Sequence, residues 1–521
     1  MSEHEDNASM PTSGVLLARR VGGELQTLVA RRLDGRGFLG GFHGFFVGRL
    51  RADDGRVPVE PEEAYRAPER AHWGGAAREL FEEAGFLPLV GGDVYTWRSD
   101  NPVDSPAGDW ATFREHVTAG EVDFGGVLRQ AGLAVDARRF HPVGEWATPE
   151  WADLDSLTEF FVVALDADDR PAAGERLVDH LDSEEHEEPM WLAPEEVVDR
   201  WRGGDWLMST PIRLVYQGLA ERGAVDDVDL FPPVAERSRA TRESIEIVGG
   251  VRLLPLSTPT LPPATHTNCY LVGDDGFVVI DPGSALSRER ELLFEAVDRL
   301  GQEGRELEAV ILTHHHSDHI GGVAPVVGRY GADVWAHAET ADRVAGEFTV
   351  DRLLEDGEVL RPGDDAHHRL EVLHTPGHAP GHLALHHTAT GLMFAGDLVA
   401  SKGTILIDPP EGHMSTYLVS LERIAGRGIS ALLPAHGEPV TAPYDLLDYY
   451  IDHRWEREEK VLGALGEFDG GVEAGELVPE VYDDVPTAAW PLATRSLKAH
   501  LIHLVERGKA TRQGETFRRI G

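Results

Sequence analysis

The chain has 521 residues, which exceeds one ordinary domain and predicts about three or four structural units. Hydrophobic residues make up 41% and charged residues 26%, as in globular proteins, so global disorder is excluded. The formal net charge of −42 argues against generic binding of long polyanions, because such binding uses a basic surface. A local basic patch is compatible with that total.

Location follows from two further features. No apolar run approaches the roughly 20 residues that span a bilayer, and the N-terminal residues are acidic where a signal peptide is basic. Cys269 is the only cysteine, and its apolar neighbours favour a buried thiol in a reducing compartment. We therefore expect a cytoplasmic protein without a membrane partner, and the sequence leaves its oligomeric state open.

The first segment, residues 11–235, has mixed α+β patterning. Apolar runs bounded by glycine predict strands, and longer periodic stretches predict helices. The predicted strands are 14–18, 25–30 and 160–165, and the predicted helices are 78–84 and 194–201. A polar stretch at 234–243 predicts the linker to the next segment.

The second segment, residues 244–445, alternates short β-rich runs with helical stretches. The predicted strands are 251–256, 269–272, 277–280, 309–312, 370–373, 383–386 and 392–395, and the predicted helices are 288–300 and 339–346. This alternation predicts a layered α/β architecture.

The third segment, residues 449–521, begins with a charged helix at 452–465. A second helix at 488–507 places leucines near one face and ends before Gly508, and residues 509–520 alternate around Gly514 like a hairpin. Helices followed by a β-hairpin predict a small winged helix.

A cluster of histidines follows the strand predicted at 309–312. Imidazoles and carboxylates are the ligands that zinc prefers in the absence of cysteine. The cluster and three later turns offer His314, His316, Asp318, His319, His378, Asp397 and His436. With 25 histidines in the chain, most are ordinary surface or core residues, and we expect this of His367, His368, His386 and His387.

The H-x-H-x-D-H stretch and the three later turns resemble the metallo-β-lactamase superfamily over residues 244–444. The resemblance implies an αββα fold carrying two zinc ions. It assigns His314, His316 and His378 to the first ion, Asp318, His319 and His436 to the second, and Asp397 to a bridge between them.

The resemblance also assigns supporting roles. Asp281 matches an aspartate that supports the ligands from outside the metal shell. We assign catalytic roles to Asp318 and to His382; His382 lies in a second Pro-Gly-His, where an ordinary core histidine is an equal alternative. His315 occupies a variable position.

Two ions about 3.5–4 Å apart lower the pKa of a shared water toward 7, so hydrolysis is the expected reaction. No carboxylic acid stands out as a proton donor, which favours a thiolate leaving group, with a pKa of about 8.5, over an alkoxide. Residues 313–322 and 376–382 resemble the glyoxalase II-like branch. We expect an acyl thioester or small ester as substrate.

Two alternatives stay open. The C-terminal segment resembles β-lactamase-like proteins that include an endoribonuclease and polyketide thioesterases, and its wing is locally basic. The basic residues are Arg507, Lys509, Arg512, Arg518 and Arg519. RNA contact there would favour a metal-dependent endoribonuclease, and a silent metal site would favour a non-catalytic nucleotide-sensing or scaffold protein.

The helix at 78–84 carries Glu79, Glu82 and Glu83 on one face, where carboxylates can hold magnesium against a diphosphate. The stretch resembles the Nudix box and implies an α/β/α sandwich acting on coenzyme A or nucleoside diphosphate derivatives. Ala64 and Arg70 occupy places where the family pattern has glycine and glutamate. We therefore expect an α/β and α+β multidomain chain with a Nudix-like sandwich, an αββα hydrolase and a winged helix.

Overall fold

A computed structural model describes residues 10–33, 40–61, 70–90, 94–96, 110–148, 156–165, 185–225 and 244–520. The chain divides into two compact units, Met1–Gly249 and Gly250–Gly521. The linker predicted at 234–243 lies outside the described residues. The boundary predicted at 445–449 falls inside one continuous helix, Pro443–Leu465, so the C-terminal segment continues from the second unit without a break.

The first unit is built on a mixed sheet. Its strands are β1 (Met10–Val21), β2 (Glu24–Arg32), β3 (His43–Gly44), β4 (Phe46–Arg49), β5 (Val59–Glu60), β6 (Phe86–Pro88), β7 (Val94–Thr96), β8 (Val135–Asp136), β9 (Phe140–Ala147), β10 (Ser156–Ala164), β11 (His186–Leu192) and β12 (Ile245–Val248). Its helices are α1 (Arg70–Ala84), α2 (Trp110–Thr118), α3 (Phe124–Gln130), α4 (Pro194–Gly203) and α5 (Thr210–Arg222). The main strand order is β11-β2-β1-β10-β9, with β1 parallel to β10 and antiparallel to β2.

Side-chain alternation along β1 separates two cores in this unit. Val15 and Leu17 pack in the core that includes α1, and Leu16 and Ala18 pack in the core that includes α4 and α5. Because successive side chains of a strand point to opposite faces, helices cover both faces of the sheet. The unit is therefore a three-layer α/β/α sandwich. The predicted strands 14–18 and 25–30 lie within β1 and β2, the predicted helices lie within α1 and α4, and the strand predicted at 160–165 overlaps β10, which ends one residue earlier.

The second unit carries more strands than helices. Its strands are β13 (Val251–Ser257), β14 (His266–Gly273), β15 (Gly276–Ile280), β16 (Glu306–Ile311), β17 (Asp333–Ala336), β18 (Arg352–Leu353), β19 (Val359–Leu360), β20 (Leu370–His374), β21 (Leu383–His387), β22 (Leu392–Gly396), β23 (Ala431–Pro434), β24 (Val472–Glu473), β25 (Ala510–Gln513) and β26 (Thr516–Arg519). Its helices are α6 (Ser287–Gln302), α7 (Ser317–Ile320), α8 (Val323–Tyr330), α9 (Ala338–Val344), α10 (Met414–Ala425), α11 (Pro443–Leu465), α12 (Ala474–Val481) and α13 (Trp490–Glu506).

Two sheets of this unit face each other. One runs β13-β14-β15-β16-β17-β18 and the other runs β19-β20-β21-β22-β23. The ring of Tyr270 on β14 packs edge-on against Phe394 on β22 at 5.1 Å between ring centroids, and the Tyr270 hydroxyl donates to the Pro434 carbonyl. Helices α6 and α8 cover the outer face of the first sheet, and α10 and α11 cover the outer face of the second. The architecture is αββα, as predicted.

The C-terminal part forms a smaller core beside these sheets. Helices α11, α12 and α13 pack through Val461, Leu477, Leu497 and Leu501, and Phe517 of β26 completes this core. Strands β25 and β26 form the predicted hairpin, and β24 adds to its edge. Helices followed by a small sheet with a terminal hairpin form the winged helix that the sequence predicts.

Two expectations from composition can be compared with the structure. Cys269 is buried in β14, and burial raises the pKa of its thiol well above its ordinary value, as expected for a structural cysteine. Within the described part of the chain, no helix combines the length and apolar character required to cross a bilayer.

Replacing a core leucine of the first αββα sheet should destabilise the second unit. Leu271 in β14 is fully buried against α6, so Leu271→Ala removes packed methyl groups and leaves a cavity that costs about 2–5 kcal/mol. Leu353→Ala, at a side chain that is 55% exposed, is the matched control and should stay within about 0.5 kcal/mol. Urea unfolding measures both, and equal losses would contradict this packing.

Candidate metal centre

The candidate ligands lie where strands end. His314 follows β16 and Asp281 follows β15, and these strands are parallel, so their carboxyl ends meet at one edge of their sheet. Asp397 follows β22 and His436 follows β23, which are also parallel. His378 follows β20, which has the same direction as β22 because both are antiparallel to β21. The two sheets therefore present these side chains at a common edge.

Three histidines form the first group. The His316 Nδ1 atom lies 3.0 Å from His314 Nε2 and 3.0 Å from His378 Nε2. A single ring N–H cannot donate well to two acceptors at once, so hydrogen bonding alone does not satisfy all three nitrogens. Their ligand atoms, together with one from Asp397, lie within 4.8 Å of one another. The group has the donor set of a zinc position.

The second group consists of Asp318, His319 and His436, whose ligand atoms also lie within 4.8 Å of one another. His436 Nε2 lies 3.6 Å from Asp318 Oδ2. Asp318 and His319 belong to the short helix α7, which begins directly after His316 and so turns both side chains toward the first group. The predicted ligands thus come together as two triads.

Asp397 lies between the triads. Its Oδ2 atom is 3.3 Å from His378 Nε2 and 4.0 Å from His314 Nε2, and its Oδ1 atom is 3.4 Å from His319 Nε2 and 3.3 Å from His436 Nε2. Two ligands that are each about 2.0–2.1 Å from one tetrahedral zinc lie about 3.3–3.4 Å apart, which agrees with most of these separations.

Two buried atoms at this point support a bound cation. Asp397 Oδ1 and His319 Nε2 have no hydrogen-bond partner among the residues that the structure describes. Leaving a buried charged or polar atom unsatisfied is costly unless a ligand completes it. The residues present therefore fit bound divalent metal, with the Asp397 carboxylate facing both groups of ligand atoms.

Hydrogen bonds on the far side of each ring fix the tautomers of two ligands. His378 Nδ1 donates to the Leu406 carbonyl at 2.9 Å, and His436 Nδ1 donates to the His266 carbonyl at 2.8 Å. A carbonyl only accepts, so the proton of each neutral ring is on Nδ1 and the Nε2 lone pair faces the centre. Such partners orient metal-binding histidines.

Asp281 organises two further rings, those of His319 and His314. It accepts from the Thr313 amide at 2.8 Å, from the Thr313 hydroxyl at 2.6 Å and from His319 Nδ1 at 2.8 Å. Because the Thr313 proton goes to Asp281, its oxygen accepts from His314 Nδ1 at 3.0 Å. Asp281 has a φ of +49°, a left-handed conformation that is strained for a non-glycine residue. It holds both rings from outside the metal shell, as the resemblance implies.

Burial sets the charge of the first triad. It lowers the pKa of His378 to about 4 and lowers the pKa values of His314 and His316, so these rings are neutral ligands at pH 7. Burial raises the pKa of Asp397, but His436 and His319 outweigh it and hold that pKa well below its usual range. Burial lowers the pKa values of His319 and His436, but Asp397 outweighs it and raises both. A charged carboxylate beside the neutral rings of the first triad attracts cations.

The structure places His382 behind the centre and away from solvent. Its Nε2 accepts from the Asp397 amide at 3.0 Å and its Nδ1 donates to the Thr375 hydroxyl, while burial lowers its pKa to about 3. A side chain at position 396 would place its Cβ 2.6 Å from His382 Nε2, so Gly396 permits this contact. His382 is placed to position Asp397 and does not face the substrate.

The sequence did not indicate a rim cluster beside the first triad. His315 Nε2 lies 3.2 Å from Glu411, Glu411 lies 3.7 Å from His316 Nε2, and Arg343 on α9 donates to Glu411 at 3.3 Å. Glu411 is exposed and distant in sequence, so it resembles any solvated loop carboxylate. No sequence signal distinguishes it.

Two of the four histidines expected to be ordinary, His368 and His387, form a hydrogen-bonded pair away from the centre. His368 Nδ1 lies 3.1 Å from His387 Nε2, and His368 Nε2 lies 3.2 Å from Asp274, which also pairs with Arg305. The ligand atoms of His368, Asp274 and Asp365 lie close together, but Arg305 already supplies a positive charge there.

The basic residues of the wing are partly neutralised. Arg507 pairs with Glu458, and Arg512 pairs with Glu515 at 2.9 Å. Arg519 donates to the Leu462 carbonyl at 3.4 Å. These contacts weaken the positive patch on which an RNA interaction depends.

In the first unit, the three glutamates of α1 are buried among cations. Arg78 pairs with Asp54 through two bonds of 2.8 and 3.0 Å and with Glu82 at 2.6 Å, and Arg51 lies 2.8 Å from Glu82. His186 lies 3.0 Å from Glu83. Arg70 donates to the Val57 carbonyl, and Ala64 lies outside the described residues.

Glu79 is buried and lies 3.4 Å from Arg78. Burial raises its pKa to about 8, and its carboxylate occupies the space that a side chain at Gly48 would fill. Among the residues that the structure describes, no cluster of three ligand atoms within 4.8 Å contains Glu79, Glu82 or Glu83. The arrangement is a charge-paired helix face.

Comparison with known proteins assigns the second unit. Residues 262–436 match the metallo-beta-lactamase superfamily, and residues 474–519 match the beta-lactamase associated winged helix domain. A beta-lactamase-like protein 2 homolog from Drosophila melanogaster is 30% identical over 54% of this chain and 92% of its own length. The chain belongs to the metallo-beta-lactamase superfamily.

Two relatives carry more specific names. An atrochrysone carboxyl ACP thioesterase from Aspergillus novofumigatus is 28% identical over 42% of this chain and 66% of its own. A hydroxyacylglutathione hydrolase from Serratia proteamaculans is 35% identical over 24% of this chain and 43% of its own. With the two triads, these relatives identify the protein as a metal-dependent hydrolase, which sets aside a non-catalytic role for this unit.

Removing the charge of Asp397 should empty both metal positions, because its two oxygens face both triads. Asp397→Asn keeps the shape but puts a neutral amide where a shared carboxylate is needed, and bound metal should fall from about two ions to below one per chain. Asp298→Asn, at an exposed aspartate paired with Arg329, is the matched control and should keep both ions. Elemental analysis after dialysis measures the content, and full occupancy in Asp397→Asn would contradict the bridge.

Proposed function

We propose that the second unit hydrolyses an acyl thioester or small ester at a dinuclear zinc site. The observation that carries this proposal is the Asp397 carboxylate, whose two oxygens face two separate triads of ligand atoms. His314, His316 and His378 would hold the first ion, and Asp318, His319 and His436 would hold the second. Imidazole and carboxylate donors without cysteine favour zinc.

When bound, the ions supply a nucleophile from water at neutral pH and polarise the carbonyl that is attacked. The chain's own residues orient the reactants. Asp318 is only half-buried and lies beside His436, so its carboxylate can orient the attacking water by accepting a hydrogen bond. His382 and Asp281 do not touch the substrate and keep Asp397, His314 and His319 in place.

The leaving group favours a thioester. The carboxylate at the rim, Glu411, already accepts from Arg343 and contacts His315, so it is engaged as an acceptor and is not placed as a proton donor. A thiolate, whose conjugate acid has a pKa of about 8.5, leaves without protonation more readily than an alkoxide. The names of the thioesterase and hydroxyacylglutathione hydrolase relatives support the same substrate class.

For the first unit we propose a Nudix-like sandwich that uses the α1 glutamates on a coenzyme A or nucleoside diphosphate derivative. Its support is the stretch Arg78–Gly85, which places three carboxylates on one helix within an α/β/α sandwich. Magnesium and a diphosphate would have to displace the contacts of Arg51 and His186 with these carboxylates. If both units act on coenzyme A derivatives, they share one substrate class.

Thioester turnover should depend on Asp318. We expect the parent to hydrolyse an acyl-glutathione or an acyl-coenzyme A, and Asp318→Asn to lose at least about 100-fold in kcat/KM, because the substitution replaces the anionic ligand and acceptor beside His436 with a neutral amide. Asp342→Asn, on the exposed face of α9, should retain parental rates. Cleavage of single-stranded RNA with the same Asp318 dependence, and no thioester turnover, would assign the protein to the endoribonuclease alternative.

Diphosphate turnover, if the first unit is active, should depend on Glu82 and on magnesium. Glu82→Gln should abolish magnesium-dependent release of the phosphopantetheine half of coenzyme A, while leaving thioester hydrolysis intact. Glu195→Gln, on the exposed face of α4, is the control. Ion chromatography of the products measures this reaction, and an equal rate in Glu82→Gln would remove α1 from the proposal.

A further inference from the structure

The 403–413 loop connects the metal centre to the C-terminal helices. On its inner side, the Leu406 carbonyl accepts from His378 Nδ1 at 2.9 Å, and the His413 amide donates to the Gly377 carbonyl at 2.7 Å. The loop therefore contacts the turn that carries His378 at two points. Its position sets the orientation of the His378 ring.

Helix α11 holds the same loop from the other side. The Tyr450 hydroxyl donates to the Gly403 carbonyl at 3.2 Å, and the Arg454 guanidinium donates to the Ile405 carbonyl, directly before Leu406. Arg454 is only 2% exposed and packs over the Tyr417 ring of α10. A buried cation with a fixed carbonyl partner is a rigid anchor, because moving the loop would leave that cation unsatisfied.

Helix α13 adds two contacts nearer the surface. Arg495 pairs with Asp408 of the loop, and Glu506 accepts from the Ser415 hydroxyl and lies 2.8 Å from His413 Nε2. The side chains of both pairs are between about one third and one half exposed. Exposed pairs of this kind contribute only about 0–1 kcal/mol to global stability.

We propose that the C-terminal module, residues 443–519, is a clamp that positions His378 through the 403–413 loop and so sets the affinity of the first metal position. The inference rests on the proposed dinuclear site. Arg454, Arg495 and Glu506 are positioning residues that act through Leu406. His319 and His436 of the second triad are held by Asp281 and by the His266 carbonyl, and neither contact involves the 403–413 loop, so the clamp acts selectively on the first position.

The relative sizes of two effects make the proposal testable. Outer partners of metal-binding histidines typically account for 10–100-fold in metal affinity. Removing two exposed pairs has little effect on the fold, so a loss of affinity at one position alone separates positioning from general destabilisation. Alanine is a good helix former, so α13 tolerates it.

The test is the double variant Arg495→Ala/Glu506→Ala, compared with Lys498→Ala. Lys498 lies on the same helix but pairs with Glu515 and does not touch the loop. Stepwise zinc affinities are measured on the full chain by chelator competition, with the visible spectrum of the cobalt-substituted protein as a second readout. We expect a loss of about tenfold at one position, a changed cobalt spectrum, and parental values for Lys498→Ala.

Backgrounds with one metal position removed identify the position affected. When the double variant is combined with Asp318→Asn, the zinc affinity of the remaining first position should still fall about tenfold. When it is combined with His378→Ala, it should have no further effect on zinc affinity. Equal loss at both positions together with a lower thermal midpoint, or unchanged affinities in a parent that binds two ions, would overturn the clamp alone. A parent that binds fewer than two ions would overturn the proposed function and the clamp with it.

Discussion

The charge of Asp397 is the constraint on which the second unit depends. A carboxylate buried among imidazoles is costly unless cations or hydrogen bonds compensate it, and one of its oxygens has no hydrogen-bond partner among the described residues. Two strand ends from one sheet and three from the other have to meet around this group. The αββα architecture meets that requirement, because parallel strands end at the same edge.

The support of this centre comes from successive layers. His382 accepts from the Asp397 amide, and Asp281 accepts from the Thr313 amide and from His319. Hydrogen bonds that include backbone groups therefore fix the ligand side chains. Asp281, whose carboxylate accepts from three donors, has a strained left-handed φ. Beyond these, the C-terminal helices contact the loop that orients His378, which makes the winged helix part of the same construction.

The first unit compensates buried carboxylates in a different way. Arg78 and Arg51 pair with Glu82, so the positive charge comes from arginine side chains of the protein itself. A metal position in the second unit is instead surrounded by imidazoles whose Nδ1 atoms donate to backbone carbonyls and whose Nε2 atoms face the centre. Because of this difference in the source of positive charge, the triads of the second unit fit metal ions directly. Binding of magnesium at the α1 glutamates would require the arginine contacts to be displaced.

The sequence by itself indicated several strands and helices of each unit, the candidate ligands of the second unit and the order in which its turns supply them. These features are local: apolar periodicity defines each element, and a histidine after a strand has few other reasons to occur there. Only the tertiary structure decided that His382 is buried behind Asp397, that Glu411 reaches His315, and that α1 carboxylates are paired with arginines. Those outcomes depend on contacts between residues far apart in the chain, which a local pattern does not contain.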